Sequence, residues 1–244
     1  MTSRRLAGIT ILCAGLYWYA NSSHCQPPPV PKEPLPTKPD EKRKPLIPRK
    51  DVGKIELGGP IAPDGKTEVQ CDLPVDQRIQ NIGSKIDKAG MCVTSSIEMA
   101  ARWANLREME GLRDWCAQFP GGASPGKIDK QIPQFCKAKG IIMPSYIQYE
   151  GPDESLMAKA LDSGRIVCVT YSGKDGVRYQ SSISHMVCCV HYDGKIACLM
   201  DNNDDLSKLL WMTKDEFLKR WRDRGTSGWV FVWLAPGPPP VPRN

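Results

Sequence analysis

Three side chains in this sequence have the types and the order needed for acyl transfer through a thiol: a cysteine at the head of a helix, a histidine on a later strand, and a carboxylate returned beside it. A thiol is a strong nucleophile only as the thiolate, a form favoured by a helix N-terminus and by an adjacent imidazole. Cys92 follows Ala89-Gly90-Met91 and opens the clearest helical pattern of the chain, with Val93, Ile97, Ala100 and Ala101 near helical spacing behind it. The small run Val93-Thr94-Ser95-Ser96 lets that helix pack closely on a sheet. The helix dipole there favours negative charge on sulfur. No other cysteine sits so clearly at a helix start.

The base must come from three histidines. His24 lies beside an apolar N-terminal run and is set aside. His185 and His191 stand at opposite ends of an apolar strand pattern over 184–192, about 20 Å apart at the usual strand rise, so only one of them can serve Cys92. Asp193-Gly194 reads as a two-residue hairpin turn. The returning strand, 195–200, then carries Asp201-Asn202-Asn203 towards His185. A carboxylate or amide at that place orients the ring and selects its tautomer; Asp201 is the first candidate and Asn202 the alternative.

The elements that must position these residues follow from periodicity and breakers. Helices are expected over 92–104, 106–117, 127–139 (with Pro133 inside and Gly140 as the stop) and 152–162. Thr213 and Glu216 form a capping box that opens a helix over 213–221. Strands are expected over 165–171, 184–192, 195–200 and 228–234. Helices come first and a mostly antiparallel sheet after them, which is an α+β layout.

The stretches GMCVTSSIEMAARW, SHMVCCVHYDGKIACLMDNN, LLWMTKDEFLKRW and GWVFVWL together resemble the papain-like cysteine peptidase superfamily, and within it the double-glycine (bacteriocin-processing) peptidase-like branch. The resemblance spans residues 80–234 and implies a papain-like α+β fold with the nucleophile helix packed on the sheet. It makes Cys92 the nucleophile, His185 the general base and Asp201 the orienting residue, with Asn202 as fallback, acting on a peptide or protein substrate. No metal and no organic cofactor is implied. The family normally places a side-chain amide about six residues before the nucleophile as an oxyanion donor beside the nucleophile's own backbone N–H. That position here is Ile86, so Gln80 and Asn81 become the oxyanion candidates. The acidic-Cys-Gly pattern of the bacteriocin processors is also absent before Cys92.

Composition organises the rest. Arg4 and Arg5 precede an uncharged apolar run over 6–20, so residues 1–25 read as a signal peptide or signal anchor with possible membrane contact. The run is shorter than the roughly 20 residues of a comfortable bilayer span. Residues 26–50 form a proline-rich basic stalk, 51–79 a lead-in with at most one edge strand, 80–235 the hydrolase domain, and 236–244 a proline-rich tail. Much of the net charge of +6 lies in the stalk, where Lys42, Arg43, Lys44, Arg49 and Lys50 cluster without aromatic partners. No nucleic-acid partner is therefore expected.

Among ten cysteines there is no C-x-x-C zinc spacing. An exported protein can pair several of them, and Cys116 and Cys136, flanking a Gly/Pro-rich loop, are the pair placed to do so. The expectation is a secreted or membrane-anchored thiol hydrolase with its domain outside the cytoplasm, most simply a cysteine peptidase. Amide transfer by the same groups and an inactive papain-like module that binds peptide or cell-wall ligands are the alternatives.

Overall fold

A computed structural model describes residues 54–203, 205–222 and 227–238. The apolar run over 6–20 and the stalk over 26–50 lie outside these residues. In chain order the elements are β1 (Ile55–Gly58), α1 (Cys92–Trp103), α2 (Leu112–Cys116), α3 (Ile128–Lys139), β2 (Tyr146–Gly151), α4 (Ser155–Asp162), β3 (Val167–Gly173), β4 (Ile183–Tyr192), β5 (Ile196–Met200), β6 (Leu209–Thr213), α5 (Lys214–Trp221) and β7 (Gly228–Trp233). The seven strands form one sheet in the order β1-β6-β5-β4-β3-β7-β2, with every neighbouring pair antiparallel. The fold is α+β. No helix among the described residues is long and apolar enough to cross a membrane.

Successive residues are buried along β7 and from His185 to Tyr192 in β4, so both faces of the sheet are covered at its centre. Helix α1 packs on β3, β4 and β7, while α5 packs on β3, β5 and β6. A buried indole needs a partner for its N–H, and here that need ties separate elements together. Trp233 donates to the Ile97 carbonyl of α1 (3.0 Å), Trp221 to Trp229 (3.2 Å), Trp211 to Gly59 (2.9 Å) and Trp103 to Gly164 (2.7 Å).

Local signals set several boundaries. Thr213 caps α5 by accepting the Glu216 N–H, and Gly140, with φ +67°, ends α3 in the left-handed conformation. Other boundaries differ from expectation. The helix expected over 106–117 is a 3-10 turn at Arg107–Met109 followed by the five-residue α2. Gly111, with φ +89°, breaks the pattern between them, and the Arg113 N–H is taken by the buried Glu98 carboxylate of α1 (2.9 Å). Strands β2 and β6 were not expected. The first is an edge strand with polar Gln148 and Glu150 in it; the second is a short apolar run that leads straight into α5, a length at which periodicity does not separate strand from helix.

The β4–β5 connection is also longer than a two-residue turn. Tyr192 pairs with Ala197, and a register shift between Cys189 and His191 then sets Cys188 opposite Met200. The shift takes back part of the extra loop length. Asp201 still returns to His185.

All eight described cysteines are free thiols, which corrects the expected Cys116–Cys136 disulfide. The Cys136 thiol turns to the Met109 sulfur (4.0 Å), whereas Cys116 is buried within the field of Glu98. Burial pushes the thiols of Cys71 and Cys116 up to about 12, so they stay protonated and inert.

Two outcomes test this packing. A Cβ at Gly228 would lie 2.2 Å from the Trp221 ring, so Gly228→Ala should cost about 1–3 kcal/mol in urea unfolding. Gly126→Ala, which meets nothing within 4 Å, should stay within about 0.5 kcal/mol. Alkylation in denaturant without reductant, followed by peptide mass spectrometry, should label every cysteine from Cys71 to Cys198; an unlabelled pair would reveal a disulfide.

Candidate functional site

Cys92 is the first residue of α1 and is half-buried. As a first-turn residue its backbone N–H has no acceptor within the helix. The chain reaches it through a tight loop closed by a Gly83–Gly90 bridge. A side chain at Gly83 would press on the Lys88 carbonyl at 2.9 Å, so that approach requires glycine. Within the loop Ser84 Oγ accepts the Ile86 N–H (3.1 Å) and donates to the Phe119 carbonyl (2.8 Å). The Met91 N–H then donates to the Ile82 carbonyl and to Asn81 Oδ1, each at 2.9 Å. Ile86 itself points outward and is 65% exposed.

His185 stands near the start of β4, opposite Tyr171 of β3, and is buried. Its Nε2 lies 2.9 Å from Asp201 Oδ1. Asp201 is itself 1% exposed and receives the Tyr179 hydroxyl on Oδ2 (2.6 Å) and the Asn203 N–H on Oδ1 (2.9 Å). Arg178 Nη1 lies 3.8 Å from Oδ2. With Nε2–H given to the carboxylate, Nδ1 is the nitrogen left for a thiol; Asn203 Nδ2 lies 3.5 Å from it.

Burial works against a charged His185 ring, but the bond to Asp201 and the attraction of negative charge on the Cys92 sulfur outweigh it and raise the ring to about 9. Burial likewise penalises the Asp201 carboxylate. Its bonds to His185, Tyr179 and the Asn203 N–H prevail and hold it below the usual carboxylate value. The structure thus brings Cys92, His185 and Asp201 together. Compared with models of known families and with curated proteins, the chain matches none.

The remaining sequence candidates separate. Asn202 does not bond the ring: its Nδ2 reaches the Cys92 carbonyl (3.1 Å), Ser96 Oγ (2.9 Å) and the Met186 carbonyl (3.1 Å). Asn81 lies at the head of α1, with Oδ1 bound by Met91 and Nδ2 donated to Asn203 Oδ1 (2.8 Å). The Gln80 side chain is exposed, and its carbonyl is held by Arg113 Nη1 (2.7 Å). His191 lies away from the site against Trp211, 5.6 Å between ring centroids, where burial lowers its basicity.

Sequence reasoning did not assign Tyr179, Arg178 or a role for Asn203. Tyr179 sits in an irregular loop with no periodic signal. Asn203 was legible only as a neighbour of Asp201. Among the described residues no three His, Cys, Asp or Glu side chains converge to hold a metal ion.

The His185 shift has a consequence for stability. A ring whose value rises from 6.5 to about 9 on folding contributes stability that is complete below about pH 6.5 and lost as pH rises through about 9. Urea unfolding midpoints should therefore fall from pH 6.5 to 9.5 in wild type, and fall less steeply in His185→Gln. Equal slopes in the two proteins would remove the shift.

Proposed function

We propose that this protein is a thiol hydrolase of papain-like fold, a cysteine peptidase that works outside the cytoplasm as a secreted or membrane-tethered protein. The supporting observation is that the head of α1 presents Cys92 to His185, whose second nitrogen is bound to Asp201. The export part rests on the sequence over 1–25 alone.

In this reading His185 Nδ1 takes the Cys92 proton, and Sγ attacks the carbonyl carbon of a peptide or amide bond. The tetrahedral oxyanion receives the Cys92 backbone N–H and the second hydrogen of Asn81 Nδ2. Collapse breaks the C–N bond, and the imidazolium returns the proton to the leaving amine. Water then attacks the thioester, giving its proton to His185 and releasing the acid and the free thiol. Asp201 keeps Nδ1 turned towards sulfur throughout.

A second reading has one observation in its favour. Ile86 stands where the family carries its amide, and the Asn81 carboxamide is already engaged at both ends. A pseudoenzyme that holds a peptide or cell-wall ligand without turnover would look the same there.

Iodoacetamide labelling of the native protein from pH 4 to 9, read by peptide mass spectrometry, separates the two. Under the hydrolase reading Cys92 is labelled before the buried thiols, and His185→Ala slows it several-fold at pH 6. A peptide mixture is also cleaved, with Asn81→Ala lowering turnover by about 100-fold. If Cys92 reacts equally fast in wild type and His185→Ala, the hydrolase reading falls and the binding module takes its place.

A further inference from the structure

Asp201 is held on both carboxylate oxygens, and the second hold comes from outside the Cys92–His185–Asp201 group. Carboxylate rotation about the Cβ–Cγ bond is broad in aspartate, so a single bond to the imidazole leaves the plane of the group free. Here Oδ1 is shared by His185 Nε2 and the Asn203 N–H, while Oδ2 receives the Tyr179 hydroxyl at 2.6 Å. That distance is typical of a charge-assisted O–H···O⁻ bond. The Tyr179 ring also stands tilted to the imidazole, with centroids 5.9 Å apart.

Tyr179 is placed by a turn built around another carboxylate. Asp175 Oδ1 accepts the N–H groups of Val177, Arg178 and Tyr179, each at 2.8 Å. The Tyr179 carbonyl in turn receives the N–H groups of Asp175 (3.2 Å) and Gly176 (3.0 Å), which closes the turn on itself. Asp175 Oδ2 accepts the hydroxyl of Tyr171 (2.7 Å), and Tyr171 is the β3 residue paired across to His185. Tyr171, Asp175, Tyr179, Asp201 and His185 therefore form a closed circuit. Such a turn does more than cover the strand ends, because its last residue delivers a hydroxyl to the carboxylate that holds the imidazole.

We propose that Tyr179 is a positioning residue that acts through Asp201 on the proton of His185, and that Asp175 holds it in place. This inference rests on the hydrolase reading of the same site. By taking part of the Asp201 charge into its own hydrogen bond, the phenol keeps the carboxylate from gripping the imidazolium too tightly. The proton can then be passed to a leaving amine. Burial and the Asp201 carboxylate both push the Tyr179 hydroxyl upward from its ordinary value, so it stays a donor at every working pH. The other charges around this circuit are Arg178 beside Asp201, Asp205 within the field of Arg178, and Arg220 of α5 acting on Tyr171.

The test is an NMR titration of the His185 ring in the full-length protein, with iodoacetamide labelling of Cys92 run in parallel on wild type, Tyr179→Phe and Asp175→Asn. Without the phenol the carboxylate holds the imidazolium more tightly. The His185 titration in Tyr179→Phe should therefore move upward by about half a pH unit or more, with a smaller upward move in Asp175→Asn. Should Tyr179→Phe not fold, as judged by circular dichroism, Asp175→Asn carries the same test. An unchanged or lowered His185 titration overturns the role of Tyr179. Failure of the hydrolase reading shows itself separately, as Cys92 labelling that ignores His185→Ala.

Discussion

The arrangement around Cys92 depends on one buried carboxamide. Asn202 Nδ2 lies within hydrogen-bond distance of the Cys92 carbonyl, the Ser96 hydroxyl and the Met186 carbonyl, so a single nitrogen joins the head of α1 to β4. His185 immediately precedes Met186, and this joint is what sets the imidazole opposite the thiol. Just past the end of β5, Asp201 and Asn202 serve different partners, one bonding the imidazole and the other the nucleophile helix. Ser96 adds a second tie between the same elements, its hydroxyl donating to the Met186 carbonyl (3.1 Å).

Other buried polar groups bridge elements in the same way. Glu98, 3% exposed, accepts from Arg102 in its own helix and from the Arg113 N–H of α2. Arg78 reaches the carbonyls of Leu73 and Leu206 while it pairs with Asp72. The tryptophan N–H bonds do the same for the sheet. Each bond removes a penalty for an unpaired group, and together they place side chains from distant parts of the chain with little freedom, as a preorganised site requires.

What was legible in the sequence was mostly local. The start of α1 at Cys92, the Thr213 cap and the Gly140 stop each follow from a few neighbouring residues. The proximity of Asp201 to His185 was also legible, although the two-residue turn assumed for it is a longer loop combined with a register shift. Strand β2 was hidden because it owes its conformation to pairing with β7, whose partner residues lie some 80 positions away. The division of labour between Asp201 and Asn202 could not be read from residue type, since either side chain can hold an imidazole. The role of the Tyr179 turn was invisible for a similar reason: the Tyr179 hydroxyl meets the Asp201 carboxylate only after β3, β4 and β5 have paired. The free thiols of Cys116 and Cys136 depend on side-chain direction, which spacing along the chain does not carry.

The place of β7 in the sheet bears on how the molecule is made. It lies between β3 and β2, yet it comes last in chain order among the described strands, and β1, the first of them, waits for β6 across about 150 residues. Contacts so distant in sequence make for slow folding, and no strand made before β7 can complete the sheet without it. Until that strand arrives, Cys168, which stands opposite Phe231, lacks its neighbour on that side of β3. Paired with β3 on one side and β2 on the other, the tryptophan-rich strand β7 is the latch that closes this end of the sheet.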